Sequence, residues 1–560
     1  MATSKMIKKI SFMVFCFLLV NIYSQEMVPI EHVNLYSFLE RMSNLQLLSD
    51  YNSFQIPITR NDASKYLKEI KIKEKELDKN DQAILKDLFS EFEYEINKTT
   101  TNYQSFLNGE TNVASDKEKY LFYAVEPSKF SVFINLLGKS ENVFINKLDN
   151  ANSLQTNSAS LGTIGGTLRG SLFNNFYFGV QGTNGRLFGS KEVIQVKENL
   201  RYNFKINENV SEPFFDESEG YAYLDFDFIR FGISHQRMKI GNGIMGTIID
   251  ASAPPFDYLF LNFKYSFFQF DYFHGKLLAQ GTFPQDSITG FNTTIPDKYI
   301  GYHRLGFNIS KHFSFGVGEM IIYKDRSIDL SYLNPLNFYK STEHFNRDRD
   351  NSMLFVDFAN NSLKGLKLFS TVLIDDIDFG KIGKKWYGNQ TLYNIGFSSD
   401  NLYAIIPLSV SFQFIHVENY VFTNRLPNNN YTTFGLNLAG DLEPNSNTFC
   451  FQFDYRITNR LTAAINYSYT KHGMNVKDSL GNVINNVGGD INFGHRVMDN
   501  TSVGFLDGDI EIKHNLGLSL SYEPINQIIC SLKALYLNNE IKKKLVLEDI
   551  RTFFTLSIVI

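Results

Sequence analysis

Arg551-Thr-Phe-Phe-Thr-Leu-Ser-Ile-Val-Ile560 decides the reading of this chain. Phe554, Leu556, Ile558 and Ile560 share one face of an extended strand. Phe553, Thr555, Ser557 and Val559 share the other, because side chains alternate along a strand. The ends of a water-soluble domain usually fray. An apolar strand with no polar tail behind it predicts instead a seam. It would be the last strand of a closed barrel, sealed against the first where lipid leaves no backbone group to water.

The same period runs upstream. From Lys129 onward, Phe130, Val132, Ile134 and Leu136 alternate with Ser131, Phe133 and Asn135. Similar runs recur, including Tyr299–Ser310, His312–Tyr323, Leu366–Asp375, Thr432–Ala439, Leu461–Tyr469 and His514–Tyr522. They predict an all-β fold, a transmembrane antiparallel β-barrel of about 18 strands, since such barrels usually close on an even number. Ser310-Lys-His312, Thr458-Asn-Arg460 and Glu523-Pro524 read as tight turns. Segments 276–298, 325–350, 417–431 and 471–513 read as long external loops. Both termini are then expected in the periplasm, with the long loops at the cell surface.

Composition agrees. There are 52 Phe and 30 Tyr but 1 Trp. Mean hydropathy is −0.19, as expected where lumen-facing polar residues alternate with lipid-facing ones. After residue 24 there is no apolar run of about 18 residues, which excludes a helical membrane protein. The formal net charge of −5 gives no reason to expect a nucleic-acid partner. Residues 1–24 read as a secretory signal peptide, with Lys5, Lys8 and Lys9 ahead of a short apolar core from Ile10 to Val20. Cys450 and Cys530 read as isolated small side chains, and nothing in the chain implies a metal or a cofactor.

Residues 25–98 differ from the rest. Leu35, Phe38, Leu39, Met42 and Leu45 recur with helical spacing. So do Ala63, Tyr66, Leu67 and Ile70 behind a Thr59–Asp62 cap, and Ile84, Leu85, Leu88 and Phe92 behind Asp78 or Asp81. These predict a small periplasmic α-helical module that leans on the barrel or on another protein. Residues 99–128 read as a linker to a barrel spanning 129–560.

Parity raises one conflict. If Leu305, Phe307 and Ile309 face lipid, so do Phe313, Phe315 and Val317, and the same phase carries Glu319 outward. A bare carboxylate there is costly. The expectation is a β-bulge at Gly316–Gly318 that turns Glu319 inward, or a position beyond the apolar band.

Gly241-Asn-Gly243-Ile-Met-Gly246 matches a dinucleotide fingerprint but lies in no βαβ unit. Gly232-Ile-Ser234-His235 lacks the context of a hydrolase elbow. Asp375-Asp376 reads more simply as a solvated pair than as a calcium site. No Ser/His/acid set stands out, so no enzyme activity is expected.

A further set is ordered along the chain: Tyr36-Ser-Phe-Leu-Glu-Arg41, Thr59-Arg60, Arg237-Met-Lys-Ile-Gly-Asn-Gly243, Ser252-Ala-Pro-Pro-Phe256, Tyr302-His-Arg-Leu305, Gly316-Val-Gly-Glu319, Tyr332-Leu-Asn-Pro335, Phe355-Val-Asp357 and Leu373-Ile-Asp-Asp376. This order resembles the Wzi family of capsule-assembly outer-membrane proteins as far as about residue 380. Ile240 departs from it, since the family often has an aromatic ahead of the Gly-x-Gly segment. The resemblance implies an eighteen-stranded barrel with a periplasmic helical bundle near its mouth. It also implies a lectin-like, non-catalytic role for surface polysaccharide, beside outer-membrane lipid and periplasmic or outer-membrane polysaccharide export proteins. The alternative is a porin-like channel for small hydrophilic solutes. Arg237, Arg304, Glu319, Asp357, Asp375, Tyr387 and Tyr431 are the candidates for glycan contact or for a charge network bracing the lumen. Asn428, Asn429, Asn430, Asn475, Asn485, Asn486 and Tyr420 add polar groups in the loops.

Overall fold

The computed structural model describes residues 26–109, 112–148, 154–173, 175–203, 213–279, 296–400 and 407–560, so the expected signal peptide lies outside the described residues. Eighteen antiparallel strands of the described residues close into one barrel, from Phe130–Leu148 to Lys544–Val559. The final strand seals against the first, with Val559 opposite Leu137 and Glu548 opposite Leu148. Below that seam the first strand is edged by a short strand, Phe122–Glu126, which pairs Glu126 with Phe130. Alternation works as expected. Phe554, Leu532 and Leu520 lie side by side on the outer wall and are 47, 46 and 42% exposed, whereas Phe553 faces inward and is 8% exposed.

One end of the barrel carries short turns and the other long segments. Lys311-His312 and Asn459-Arg460 turn as expected. Glu523-Pro524 does not turn: both residues belong to the strand Asp509–Ile525, and the reversal falls at Asn526-Gln527, where Gln527 adopts φ 68°. The strands around the expected 471–513 loop are longer than expected, with Met474 still paired to Asp509. Thr432–Ala439 is not a barrel strand. Only Thr432–Thr433 and Leu436–Asn437 pair, as a small hairpin, and the alternation reflects packing inside the lumen.

Among the described residues four α-helices precede the barrel: α1 (Val33–Asn44), α2 (Arg60–Ile72), α3 (Lys79–Glu91) and α4 (Glu93–Asn97). Thr59 caps α2, its hydroxyl oxygen accepting from Asp62 N, and Asp78 caps α3. The predicted stripes meet in one core, where Leu35, Phe38, Leu39, Met42, Leu67, Ile70 and Phe92 are fully buried. Asp81, freed from capping, takes the buried Arg41 guanidinium at 2.6 Å. The 99–128 stretch carries Tyr103–Ser105 and Glu118–Tyr120 as a parallel pair.

The module sits in the short-turn mouth. Asn44 Nδ2 donates to Asp400 Oδ2 (2.6 Å), Gly365 N donates to Asn44 O (2.7 Å), Lys367 pairs with Glu40 (2.7 Å) and Arg230 with Asp62 (3.1 Å). Phe54, beyond α1, reaches into the lumen. Its ring stacks on Phe355, with the Arg304 guanidinium 4.3 Å from its centroid.

Three segments from the long-loop end turn inward. Residues 190–203 bury Val193, Ile194 and Leu200 against Val143, Ile145 and Phe553. Residues 237–255 descend far enough for Lys239–Ile240 to pair with Gln55–Ile56 of the module. Residues 418–445 pack Phe422, Tyr431 and Leu438 onto Ile248 and Ile249. With Tyr177, Tyr223, Phe273, Tyr302 and Phe355 of the wall, the 237–255 and 418–445 segments make one apolar core across the middle of the barrel.

Candidate functional site

The predicted site residues do not form one cluster. Arg304 and Asp357 face each other in the lumen as a bidentate pair, Nε to Oδ2 and Nη2 to Oδ1, both 2.8 Å. They are 2 and 1% exposed. Glycines at 306 and 316 leave room for the guanidinium: a Cβ on Gly316 would lie 2.3 Å from Arg304 Nη2 and from Asp357 Oδ2. Arg237 ties the inward segment to the wall through Glu219 (2.9 Å) and to the module through Glu31. Asp375 accepts from Phe422 N at 2.7 Å and so pins the 418–445 segment. Tyr431 is fully buried; its hydroxyl donates to Ile248 O at 3.0 Å. Tyr387 stacks on His495 at 3.7 Å between ring centres, beside Trp386.

Glu319 corrects an expectation. No bulge occurs at Gly316–Gly318: the ladder runs unbroken from Phe307–Phe315 to Lys298–Lys324, and Glu319 stays on the outward row opposite His303. It is nevertheless 3% exposed. His303 Nε2 lies 3.0 Å away, and the backbone N–H of Tyr339 donates to it at 2.9 Å. Cover by residues 325–350 removes the conflict that parity raised.

Many polar loop residues that read as solvated are used internally. Asn429 O accepts from Asn351, Asn486 Nδ2 donates to Asp499 and Gly494 O, and Tyr420 donates to Asn486 O. Cys450 is a free thiol against Met245 Sδ, and Cys530 is also free.

Two cavities stand out among the described residues. The larger, about 900 Å³, lies between the module and the inward 237–255 segment, and Glu40, Arg60, Glu118, Arg169, Lys239 and Arg456 give it a polar wall. On its module side His32 bonds Glu91 at 2.9 Å. Burial disfavours the charged imidazolium, but the adjoining Glu91 carboxylate outweighs it and the His32 pKa is raised. Burial likewise opposes ionisation of Glu91, yet His32 and Arg60 hold it down at about 2. At Glu118 burial first, then Glu91, outweigh Arg60 and the bond from Asn526 and push it up to about 8.

The second cavity, about 500 Å³, opens at the long-loop end between the 418–445 and 475–508 segments and the strand tops. His472 and Glu511 face each other across two strands, with Nδ1 and Oε2 3.0 Å apart. Lys513 bridges Glu511 and Glu443, at 3.1 Å each. Asn475 is 5% exposed. Its carbonyl oxygen accepts from Val487 N and Gly489 N, while its Nδ2 has no hydrogen-bond partner. Glu443, His472, Glu511 and Lys513 were missed in the sequence. For His472, Glu511 and Lys513 the only signal is inward parity at the tops of strands; Glu443 lies in the 418–445 segment and carries none.

No family model matches this chain, and no curated protein matches it. Among solved structures it is similar to Wzi, an outer membrane protein involved in group 1 capsule assembly in Escherichia coli and described as a carbohydrate-binding β-barrel. The TM-score is 0.55 at 11% identity, over 96% of this chain and 99% of that one. OpdK of Pseudomonas aeruginosa matches with TM-score 0.44 and 8% identity over 76% of this chain and 99% of its own. OccAB4 of Acinetobacter baumannii matches with 0.41 and 9% over 76% and 98%. The chain thus has the fold of the Wzi barrel, a closed antiparallel β-barrel of the outer-membrane type.

Proposed function

We propose that this protein is a non-catalytic, lectin-like barrel that holds capsular or related surface polysaccharide and assists its attachment or assembly. In this reading the long-loop end faces the cell exterior, and the helical module faces the periplasm, within reach of export proteins. The carrying observation is the 500 Å³ cleft, set above a lumen filled by inward segments. The molecule offers a surface to bind rather than a path to follow. Sugar hydroxyls both donate and accept, which suits the accessible Glu443 carboxylate and Lys513 ammonium of the cleft. The shared fold with a carbohydrate-binding barrel adds support by analogy.

The test is a gene deletion in the source organism, complemented with the wild type or with Glu443→Leu. Cell-bound and released polysaccharide are measured. Polysaccharide lost from the cell but still released, restored by the wild type and less by the variant, supports attachment. An unchanged coat sinks it. The 900 Å³ chamber favours a second reading, a porin-like channel for small hydrophilic solutes. Steady ion conductance in planar bilayers would establish that one instead.

A further inference from the structure

The segment 325–350 behaves unlike the three that turn inward. It leaves the strand Phe313–Lys324 at the long-loop end and doubles back over the outside of the barrel wall. Tyr332 and Tyr339, both fully buried, pack on Tyr299, Ile321 and Tyr323. Those three belong to the outward rows, because Tyr299 pairs with Tyr323 and Gly301 with Ile321, in register with Leu305 and Val317. Tyr339 stacks on His303 at 4.5 Å, and Tyr272, from the next strand's outward row, donates to Leu333 O at 2.7 Å. Gly301 makes the approach possible, since a Cβ there would lie 3.2 Å from the Tyr339 hydroxyl.

The side turned away from the wall presents large apolar side chains, with polar residues such as Asn334, His344 and Asp348 between them. Leu330, Leu336, Phe338 and Phe345 are 77, 83, 54 and 88% exposed. Two residues below the covered Glu319, the bare wall resumes with Val317 and its neighbour Leu305, 38 and 39% exposed. The apolar surface of the segment is therefore continuous with the lipid-facing belt. A patch of this size exposed to water is rare on a soluble surface. Short amphipathic elements with this arrangement lie in a membrane interface.

We propose that residues 325–350 form an interfacial element, its apolar side chains set among the acyl chains of the leaflet on the long-loop side. Its inner face shields the His303–Glu319 pair from lipid. The outward carboxylate that is costly in a bare barrel is then the docking point of a membrane-resident strap.

The test uses the single tryptophan. In a Trp386→Phe background, Phe338→Trp and Phe345→Trp are reconstituted into vesicles with and without brominated acyl chains. Val497→Trp, at a fully exposed position in the 475–508 segment, is the water-facing control. At an insertion depth of ~5–10 Å, bromines cut the emission at 338 and 345 to about half or less, with a blue shift, and spare 497. Quenching no greater than at 497, with red-shifted emission, overturns the proposal in favour of a water-exposed lid. Blue-shifted but unquenched emission, in particles twice the monomer size, overturns it in favour of a second copy covering this face.

Discussion

Gly316→Ala is the most discriminating single substitution in the wall. The added Cβ would meet Arg304 Nη2 at 2.3 Å, Arg304 Nε at 2.4 Å and Asp357 Oδ2 at 2.3 Å, all three being atoms of the bidentate pair. The two charges must separate, and neither can reach water, because both are nearly fully buried. Breaking a buried pair costs about 3–5 kcal/mol, since a charge is left uncompensated. Gly306→Ala is the internal control. Its Cβ would approach Arg304 Nη1 at 2.5 Å, and Nη1 does not bond Asp357. A cost of about 1 kcal/mol is expected there. Stability is measured by denaturant unfolding in phospholipid vesicles, following Trp386 fluorescence and the gel mobility of the folded barrel. The decisive comparison repeats Gly316→Ala in an Arg304→Met/Asp357→Leu background. Replacing a buried pair by apolar residues is often neutral or stabilising, and there the alanine meets only crowding, about 1–3 kcal/mol. An equal cost in both backgrounds would refute the reasoning, because the glycine would then not be there to admit the ion pair.

Two further outcomes are expected from the module. Phe54→Ala removes a ring 2% exposed, its stack on Phe355 and its contact with Arg304; a loss of about 3–5 kcal/mol in module docking follows, read as faster protease cleavage within residues 99–128 while the barrel stays folded. Docking also depends on pH. The raised His32 pKa gives stability present below its usual 6.5 and lost as pH rises through the raised value, and Glu91, held at about 2, contributes above 4.5 and loses its contribution as pH falls toward 2. Glu118, pushed up to about 8, adds a penalty that grows as pH rises from 4.5 to that value. Protease resistance of the module is therefore highest near about pH 5 and falls toward alkaline pH. His32→Gln and Glu118→Gln should each flatten that fall, and an unaltered profile in both would exclude this origin.

Alternation was sufficient to read the barrel and its closing strand, because period 2 is imposed locally by the pleat, whereas the strand number also needed the rule that such barrels close on an even number. The α1 to α3 stripes were legible for the same reason, whereas α4, at five residues, is too short to show a period. The path of the long segments was not legible. Residues 418–445 turn inward and 325–350 turns outward, yet both are rich in Asn and aromatic residues. What separates them is the surface each finds after the barrel exists. Thr432–Ala439 alternates because it packs inside a tube, and alternation alone cannot distinguish that from a wall. Glu319 is the instructive position. Parity put it correctly on the outer face and identified the conflict, but the remedy comes from Tyr339, twenty residues downstream, which no local rule could locate. The cleft residues His472 and Glu511 become partners only through register.

The pairing of Gln55–Ile56 with Lys239–Ile240 has a consequence for communication across the bilayer. The segment that carries Lys239 also gives Asp250 N to Leu438 O and Ile248 O to Tyr431, and the segment holding those two residues continues into Glu443 of the cleft. Hydrogen bonds and the chain between them thus connect the mouth at one end to the cleft at the other. In the proposed reading, a glycan held at the cleft and an export protein at the mouth would address a single mechanical body, like two hands on one rod.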